Sequence, residues 1–151
     1  MNPELQAIYQ DVIIDHGRHP RNHGELEAST HTQRGYNPVC GDELTMYLIV
    51  ENDCVSDVKF KGQGCAISMA SASLMTEWLK GKTLAEAKQQ FEQFQQLLTQ
   101  ADANIDTEKL GKIAILEGVK AYPMRVKCAT LAWHTMNAAL SNDAESVSTE
   151  Q

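Results

Sequence analysis

The amino-acid sequence predicts both strands and helices, in separate parts of the chain, because two kinds of hydrophobic periodicity are separated along it. Alternation of apolar and polar residues, which is typical of half-buried strands, is confined to residues 26–61. Helical spacing of apolar residues occurs before this segment, over residues 3–16, and again from residue 67 onward. A run of strands followed by a run of helices predicts a sheet and helices that are segregated along the chain.

Length and composition predict one soluble globular domain. The chain has 151 residues, of which 42% are hydrophobic and 22% charged, and we expect a domain over residues 1–140 followed by a polar, disordered tail over 141–151. The net charge of −7 disfavours a nucleic-acid partner, since phosphate backbones are also negative. Apolar stretches are too short for a membrane span and the N-terminus has no signal-peptide core, so we expect a cytoplasmic protein without a membrane partner.

The helices are predicted from apolar stripes and from the residues that interrupt them. A stripe of five apolar residues predicts a helix over residues 3–16, which Gly and Pro within residues 16–24 end. His16, His19 and His23 fall in this interrupted segment, where they share no face and are expected to end the helix or form an interaction loop. Four further helical segments are predicted after the strands: residues 67–80, 83–100, 107–119 and 129–140.

The strands are predicted to include a β-hairpin. Residues 26–36 are polar enough to predict an edge strand, and residues 43–50 and 56–61 predict the two arms of the hairpin. A two-residue turn at Asn52-Asp53 would place Leu48 opposite Asp57. A three-residue turn would place Leu48 opposite Val58, and this second register is favoured because it matches the apolar faces.

The four cysteines divide into a group of three and one that stands apart. In both hairpin registers Cys40 and Cys65 meet at the open end, whereas Cys54 lies at the turn, roughly 30 Å away at the rise of a strand. Asp42 is two residues from Cys40, so an extended backbone would direct both side chains to one face. Cys128, near the predicted start of the last helix, is the available fourth ligand. Three sulfurs and one carboxylate oxygen suit tetrahedral zinc or the iron of an iron–sulfur cluster.

The segments around these residues carry a resemblance to a known family. Three of them resemble the cysteine motifs of the NifU N-terminal/IscU-like proteins, namely Pro38–Asp42, Gly64–Ser68 and Arg125–Trp133. The family's N-terminal signature is matched by Asp15-His16, Pro20-Arg21-Asn22 and Gly24. The resemblance covers residues 5–140. It implies an α+β fold, with a small antiparallel sheet of about three strands covered by helices on one face. It also implies a role in iron–sulfur cluster assembly with a pyridoxal-phosphate cysteine desulfurase.

Two features place the chain closer to the SufU branch of that family. Cys65 and Cys128 are separated by 63 residues, which is long enough for the helix over 83–100 that scaffold-type IscU proteins lack. Lys127 also stands where those scaffolds have a His before the third cysteine. The SufU branch holds zinc through three Cys and one Asp and accepts sulfur from a SufS-type desulfurase.

The resemblance leaves three functions to be distinguished. The first is a zinc-dependent, sulfurtransferase-like sulfur acceptor in which Cys40 takes the persulfide sulfur, with Cys128 as the second choice because a helix start and Lys127 would favour its thiolate. The second is a scaffold that binds iron or a transient [2Fe–2S] cluster and passes it to a downstream scaffold or apo-protein. The third is an adaptor whose zinc only holds the fold. In each, the ligands are Cys40, Asp42, Cys65 and Cys128, with Arg125 and Lys127 offsetting their charge.

Overall fold

The computed structural model describes residues 3–100, 110–141 and 147–148. Its helices are α1 (Pro3–Arg18), α2 (Ala66–Leu79), α3 (Leu84–Thr99), the 3₁₀-helix η1 (Gly111–Ala121) and α4 (Pro123–Leu140). Its strands are β1 (His31–Asn37), β2 (Asp42–Glu51), β3 (Cys54–Gln63) and β4 (Val147–Ser148).

The strands form one sheet in the order β3-β2-β1-β4. Antiparallel pairing joins β1 to β2 and β2 to β3, which confirms the predicted three-stranded antiparallel sheet. The short strand β4 adds a parallel pair at the free edge of β1, where Gly35 lies opposite Val147. Residues 147–148 belong to the segment predicted as a disordered tail, and its residues 142–146 and 149–151 lie outside the described part.

Helices cover one face of the sheet. Leu44, Met46 and Leu48 alternate along β2 with more exposed residues, and their side chains are buried. Helix α4 packs on β1 and β2, and α2 packs on β3 and on α4. Trp133 of α4 is fully buried among these elements, and its indole nitrogen donates to the Ser71 hydroxyl of α2 at 3.2 Å. The predicted α+β arrangement with helices on one face is therefore confirmed.

The hairpin between β2 and β3 contains both of the registers that the sequence allowed. Leu48 lies opposite Val58, as in the favoured register. Nearer the turn, Val50 lies opposite Val55, as in the two-residue turn. A β-bulge between Ile49 and Val50 joins the two registers.

The change of register in the hairpin is explained by the spacing of two apolar residues of β3. Val55 and Val58 are both fully buried, although three residues of separation would place them on opposite faces of a regular strand. The extra residue Ser56 lies exposed in the bulge and allows both valines to face the core. The turn itself is formed by Asn52 and Asp53, which have φ angles of 53° and 60°, as a two-residue hairpin turn requires.

The segment after α1 is held against α2 by a row of hydroxyl groups. His16 is buried, with its Nδ1 2.7 Å from the Ser73 hydroxyl, and the backbone N–H of Arg21 donates to the same hydroxyl at 2.8 Å. Asn22 donates from its side chain to the Thr76 hydroxyl at 3.1 Å. His16 therefore joins two helices, and it takes no part in the cysteine cluster described below.

The later helices differ in detail from the prediction. Residues 111–121 form a 3₁₀-helix rather than an α-helix, and residues 107–109 of that predicted segment are outside the described part. Helix α4 begins at Pro123, a favourable first residue because it needs no N–H donor, six residues before the predicted start. No helix among the described residues is long and apolar enough to cross a membrane.

Candidate metal centre

Three of the predicted ligands converge where the sheet meets α4. Cys40 lies in the turn between β1 and β2, Asp42 is the first residue of β2, and Cys128 is in the second turn of α4. The sulfurs of Cys40 and Cys128 and a carboxylate oxygen of Asp42 all lie within 4.8 Å of one another. Side chains that are up to 88 positions apart in sequence are thus brought to one point.

The turn that carries Cys40 differs from the extended backbone that the sequence analysis assumed. Strand β1 ends at Asn37, and residues 38–41 form a turn before β2 begins. Gly41 has a φ of 72°, a left-handed conformation that glycine adopts without steric cost. The side chains of Cys40 and Asp42 still reach the same point. They do so because the backbone forms a turn there, and not because side chains alternate along an extended strand.

Asp42 is fixed by a close approach of the backbone. Its carboxylate is buried, and Oδ1 accepts a hydrogen bond from the backbone N–H of Cys65 at 2.8 Å. A Cβ atom at Gly64 would lie 2.6 Å from this same oxygen, so only glycine leaves room for the carboxylate here. Gly64 is therefore part of the site, although the sequence analysis assigned it no role.

Cys65 lies beside the three converging ligands and caps α2. It precedes the first residue of the helix, and its sulfur accepts from the backbone N–H of Ser68 at 3.4 Å. Its thiol interacts with that of Cys128 but is not among the atoms within 4.8 Å. The structure therefore brings three predicted ligands together and places the fourth next to them.

Cys128 is buried, and this changes the expectation for its thiol. Burial, followed by the neighbouring Asp42 and Cys40, raises the pKa of the Cys128 thiol far above its ordinary value in the metal-free chain. Because α4 begins at Pro123, Cys128 is the sixth helical residue, and the favourable effect of a helix N-terminus fades within the first turn. The expectation that a helix start favours the Cys128 thiolate is thus corrected.

Of the two cationic residues predicted to support the site, the structure brings one to the thiols. The guanidinium of Arg125 is exposed, and the charges of Cys65 and Cys128, together with hydrogen bonds to both sulfurs, raise its pKa. Lys127 is half-buried, and its side chain forms no hydrogen bond or ion pair within the described part of the chain. Arg125 is thus the positive charge placed to offset the ligands.

Asn37 is a buried neighbour of the ligands that the sequence analysis missed. Its side-chain nitrogen lies 3.5 Å from Asp42 Oδ2 and 3.7 Å from the Cys128 sulfur. Asn37 ends β1 on the inward-facing side that it shares with Gln33 and Gly35. No apolar residue marks that face of β1, so alternation alone could not have shown that Asn37 points inward.

Cys54 stands apart from the ligands, as predicted. It pairs with Glu51 at the turn of the hairpin and forms an isolated bridge to Thr83 at the start of α3. It is not part of the cysteine–carboxylate group within the described residues.

The donor set fits a metal ion that prefers sulfur. Two thiols and one carboxylate already share one point, a third thiol adjoins them, and zinc takes four such ligands in tetrahedral geometry. A metal cation would also stabilise the deprotonated form of the Cys128 thiol, which is buried beside Asp42 and two other cysteines. Cys40, Asp42 and Cys128 could therefore hold a metal ion, and Cys65 lies beside them.

Comparison with known proteins identifies the family. The family model described as NifU-like N terminal domain matches residues 8–142. The chain belongs to this family.

Members with two different descriptions resemble the chain to the same degree. It is 39% identical to the zinc-dependent sulfurtransferase SufU of Bacillus subtilis (strain 168) over 142 residues, 94% of this chain and 95% of that protein. It is 40% identical to the iron–sulfur cluster assembly scaffold protein IscU of Thermotoga maritima over 136 residues, 90% of this chain and 94% of that protein. Overall identity therefore does not separate the two descriptions.

Solved structures agree with the fold. The crystal structure of FiSufU, a SUF-system protein from Fervidobacterium islandicum AW-1, matches with a TM-score of 0.81 at 39% identity and covers 89% of this chain and 98% of its own. The NifU-like N-terminal structure from Brucella abortus has a TM-score of 0.82 at 19% identity, with 92% and 96% coverage, and supports the fold alone.

Proposed function

We propose that this protein serves iron–sulfur cluster assembly by accepting sulfur from a cysteine desulfurase through a zinc site formed by Cys40, Asp42, Cys65 and Cys128. The observation that carries the proposal is the convergence of two thiols and a carboxylate within 4.8 Å, with the third thiol adjacent. The full-length similarity to the zinc-dependent sulfurtransferase of Bacillus subtilis supports it. The desulfurase is of the SufS type, and both proteins work in the cytoplasm.

The acceptor is Cys40. An acceptor sulfur must be reachable by another protein and carried by a segment that can move. Cys40 is half-buried and lies in a turn next to Val39, which is 51% exposed, whereas Cys128 is fully buried inside a helix. Cys65 is also half-buried, but its sulfur caps α2 and its backbone binds Asp42.

The transfer step is a thiol–persulfide exchange. The Cys40 thiolate attacks the outer sulfur of the desulfurase persulfide and forms a new S–S bond. The bond between that sulfur and the desulfurase cysteine breaks, and its electron pair leaves with the desulfurase thiolate. When bound, zinc supplies the positive charge that keeps the thiols of the site deprotonated at neutral pH.

Arg125 and Asp42 have supporting roles in this scheme. With zinc, three thiolates and one carboxylate, the site carries a net charge of −2, and the guanidinium of Arg125 offsets part of it. Asp42 would be the hard ligand among soft ones, so its carboxylate would exchange more readily than the thiolates on a bound zinc. The outer sulfur of the resulting Cys40 persulfide is then transferred to a downstream scaffold or apo-protein, and Cys40 is left as a thiolate.

Peptide mass spectrometry tests the acceptor. The zinc-loaded protein is incubated with a cysteine desulfurase and free cysteine without reductant, and we expect added sulfur mass on the peptide that contains Cys40. The Cys54→Ser variant is the matched control and should take up sulfur normally, because Cys54 lies outside the site. Addition only at Cys128 would reassign the acceptor, and the absence of added sulfur at every cysteine would end the sulfur-transfer proposal.

The second candidate is a scaffold for a transient [2Fe–2S] cluster. The 40% identity to the Thermotoga maritima scaffold favours it, and thiolates and carboxylate would ligate iron as well as zinc. Lys127 argues against it, because a lysine stands where the scaffold pattern has a His. Metal analysis and the absorption spectrum of protein purified without air separate the two. Visible charge-transfer bands support the scaffold. Colourless protein with one zinc supports either sulfur acceptance or a zinc that only holds the fold, and sulfur uptake by the protein separates these two.

A further inference from the structure

Asn37 touches two of the candidate ligands without being able to serve as a strong one itself. It is completely buried at the end of β1. Its amide nitrogen lies 3.5 Å from Asp42 Oδ2 and 3.7 Å from the Cys128 sulfur, which is the larger acceptor. These contacts join β1, β2 and α4 at one side chain.

The orientation of the Asn37 amide follows from the chemistry of its neighbours. The Asp42 carboxylate is an acceptor, and the Cys128 sulfur becomes one when it binds a metal as a thiolate, so the NH₂ group of Asn37 faces them and its oxygen faces away. That oxygen is buried without a hydrogen-bond partner. A buried acceptor without a partner is costly, so stability of the fold alone does not explain an asparagine at this place.

Each of the two oxygens of Asp42 thereby has its own donor. Oδ1 accepts from the backbone N–H of Cys65 at 2.8 Å, and Oδ2 faces the Asn37 amide. Because both donors are fixed to the fold, they favour this orientation of the carboxylate. Outer hydrogen bonds of this kind orient metal ligands, and their loss typically costs 10- to 100-fold in metal affinity.

We propose that Asn37 is the positioning residue of the site: its amide orients the Asp42 carboxylate and donates to the Cys128 sulfur, and so sets the affinity for the bound metal. This inference rests on the proposed function, because it assumes that these residues bind zinc. Asn37 itself neither contacts the metal nor takes part in the transfer step.

Zinc affinity, measured by competition with a chelating dye on the full chain, tests this role. Asn37→Leu keeps the approximate volume and removes the donor, and we expect it to weaken zinc binding about 10- to 100-fold. Gln90→Leu is the matched control, because Gln90 is another buried amide with an atom lacking a partner, on α3. The control should retain the zinc affinity of the unmodified protein to within a factor of about two.

Two further measurements separate positioning from a merely structural role. Urea unfolding of the metal-free proteins should show Asn37→Leu to be no less stable than Gln90→Leu, because Asn37→Leu removes a buried acceptor without a partner. Cobalt(II)-loaded Asn37→Leu should have shifted d–d absorption bands, which report the arrangement of the ligands, while Gln90→Leu should have the unmodified spectrum. If Asn37→Leu does not fold, Asn37→Asp replaces it, since this variant keeps the shape and presents an acceptor to two acceptors.

The outcomes are distinct. Unchanged zinc affinity and cobalt spectrum in the Asn37 variant overturn the positioning role, and so does a loss of affinity that is matched by an equal loss of metal-free stability. Failure of the unmodified protein to bind zinc overturns the proposed zinc site itself, and the positioning role falls with it.

Discussion

Gly64 shows how one missing side chain determines the position of a ligand. A Cβ atom at this position would lie 2.6 Å from Asp42 Oδ1 and 3.1 Å from its Cβ and Cγ. Gly64→Ala should therefore displace the carboxylate and weaken zinc binding by about tenfold or more, the cost typical of a disturbed ligand environment.

The control for this prediction is Gly118→Ala, because nothing lies within 4 Å of a Cβ atom at that glycine. A chelator competition on both variants, together with their thermal unfolding, gives the comparison. Equal zinc affinity in the two variants would show that Asp42 tolerates displacement or is not a ligand.

The residues of the site were predictable to different degrees. Cys40, Cys65 and Cys128 stand out because they lie at predicted element boundaries near Gly or Pro, where active sites tend to occur. Asn37 was not predictable, because an asparagine before a proline is an ordinary turn residue and only the packing of α4 on β1 reveals its neighbours. The sequence also did not show that Arg125, and not Lys127, would reach the thiols, since this depends on where α4 begins.

At the scale of single elements, the β2–β3 hairpin shows why two registers could not be resolved from the sequence. Each register satisfied part of the apolar pattern, because Leu48 matches Val58 in one and Val50 matches Val55 in the other. A bulge reconciles them at the cost of one unpaired residue, and sequence alternation does not show where such a residue is inserted.

Deletion of Ser56 tests this account of the hairpin. Without Ser56, Val55 and Val58 are separated by one residue, so a regular strand keeps both in the core. The deletion variant should therefore fold and unfold cooperatively, with its circular dichroism spectrum retained. Deletion of Lys59 is the control, because it would turn Phe60 and all following residues of β3 to the opposite face, and we expect it not to fold. Loss of folding in both variants would refute the account.

The contact between α1 and α2 predicts a dependence of stability on pH. Burial is the main cause of the lowered pKa of His16. The charge of Arg21 lowers this pKa further, and the charge of Glu77 raises it. Burial also lowers the pKa of His134. A histidine with a lowered pKa in the folded state is protonated first in the unfolded state, so its contribution is complete above about pH 6.5 and is lost as the pH falls below that value.

Urea unfolding of the metal-free protein at pH 7.5 and 5.5 checks this prediction. The free energy of unfolding should be lower at pH 5.5, and the difference should shrink in His16→Gln and shrink further when His134→Gln is added. His19→Gln is the matched control, because His19 is exposed in the segment that follows the same helix. A pH dependence that is unchanged in His16→Gln would refute the role of this histidine.

At the scale of the whole molecule, the candidate ligands tie together elements that are distant in sequence. They come from the β1–β2 turn and the first residue of β2, the junction of β3 and α2, and the second turn of α4. Zinc that binds only the folded arrangement stabilises it by mass action.

Removal of zinc with a chelator should therefore lower the melting temperature by several degrees, since about 1 to 2 kcal/mol shifts the midpoint of a domain of this size by that much. Cys128→Ser should abolish most of the difference between the zinc-loaded and metal-free forms, and Cys54→Ser should leave it intact. Calorimetry on the three proteins, each with and without zinc, makes this comparison. A melting temperature that does not depend on zinc in the unmodified protein would contradict the prediction.

The overall architecture was predictable because alternation and helical spacing occupy separate parts of the chain. What the sequence did not show depends on contacts between distant segments, such as the parallel pairing of Val147–Ser148 with β1 and the conversion of residues 111–121 to a 3₁₀-helix. In both cases local residue preferences are weak and the packing of neighbours decides the conformation.

The distance along the chain between Cys65 and Cys128 also has a consequence for synthesis. Cys128 follows Cys65 by 63 residues, and at about 5 to 20 residues per second a ribosome needs on the order of 3 to 12 s to add them. During that interval the nascent chain carries Cys40, Asp42 and Cys65 without the thiol that completes the set. A site that needs all four residues therefore forms only after α4 has been translated, and the proposed acceptance of sulfur begins only then.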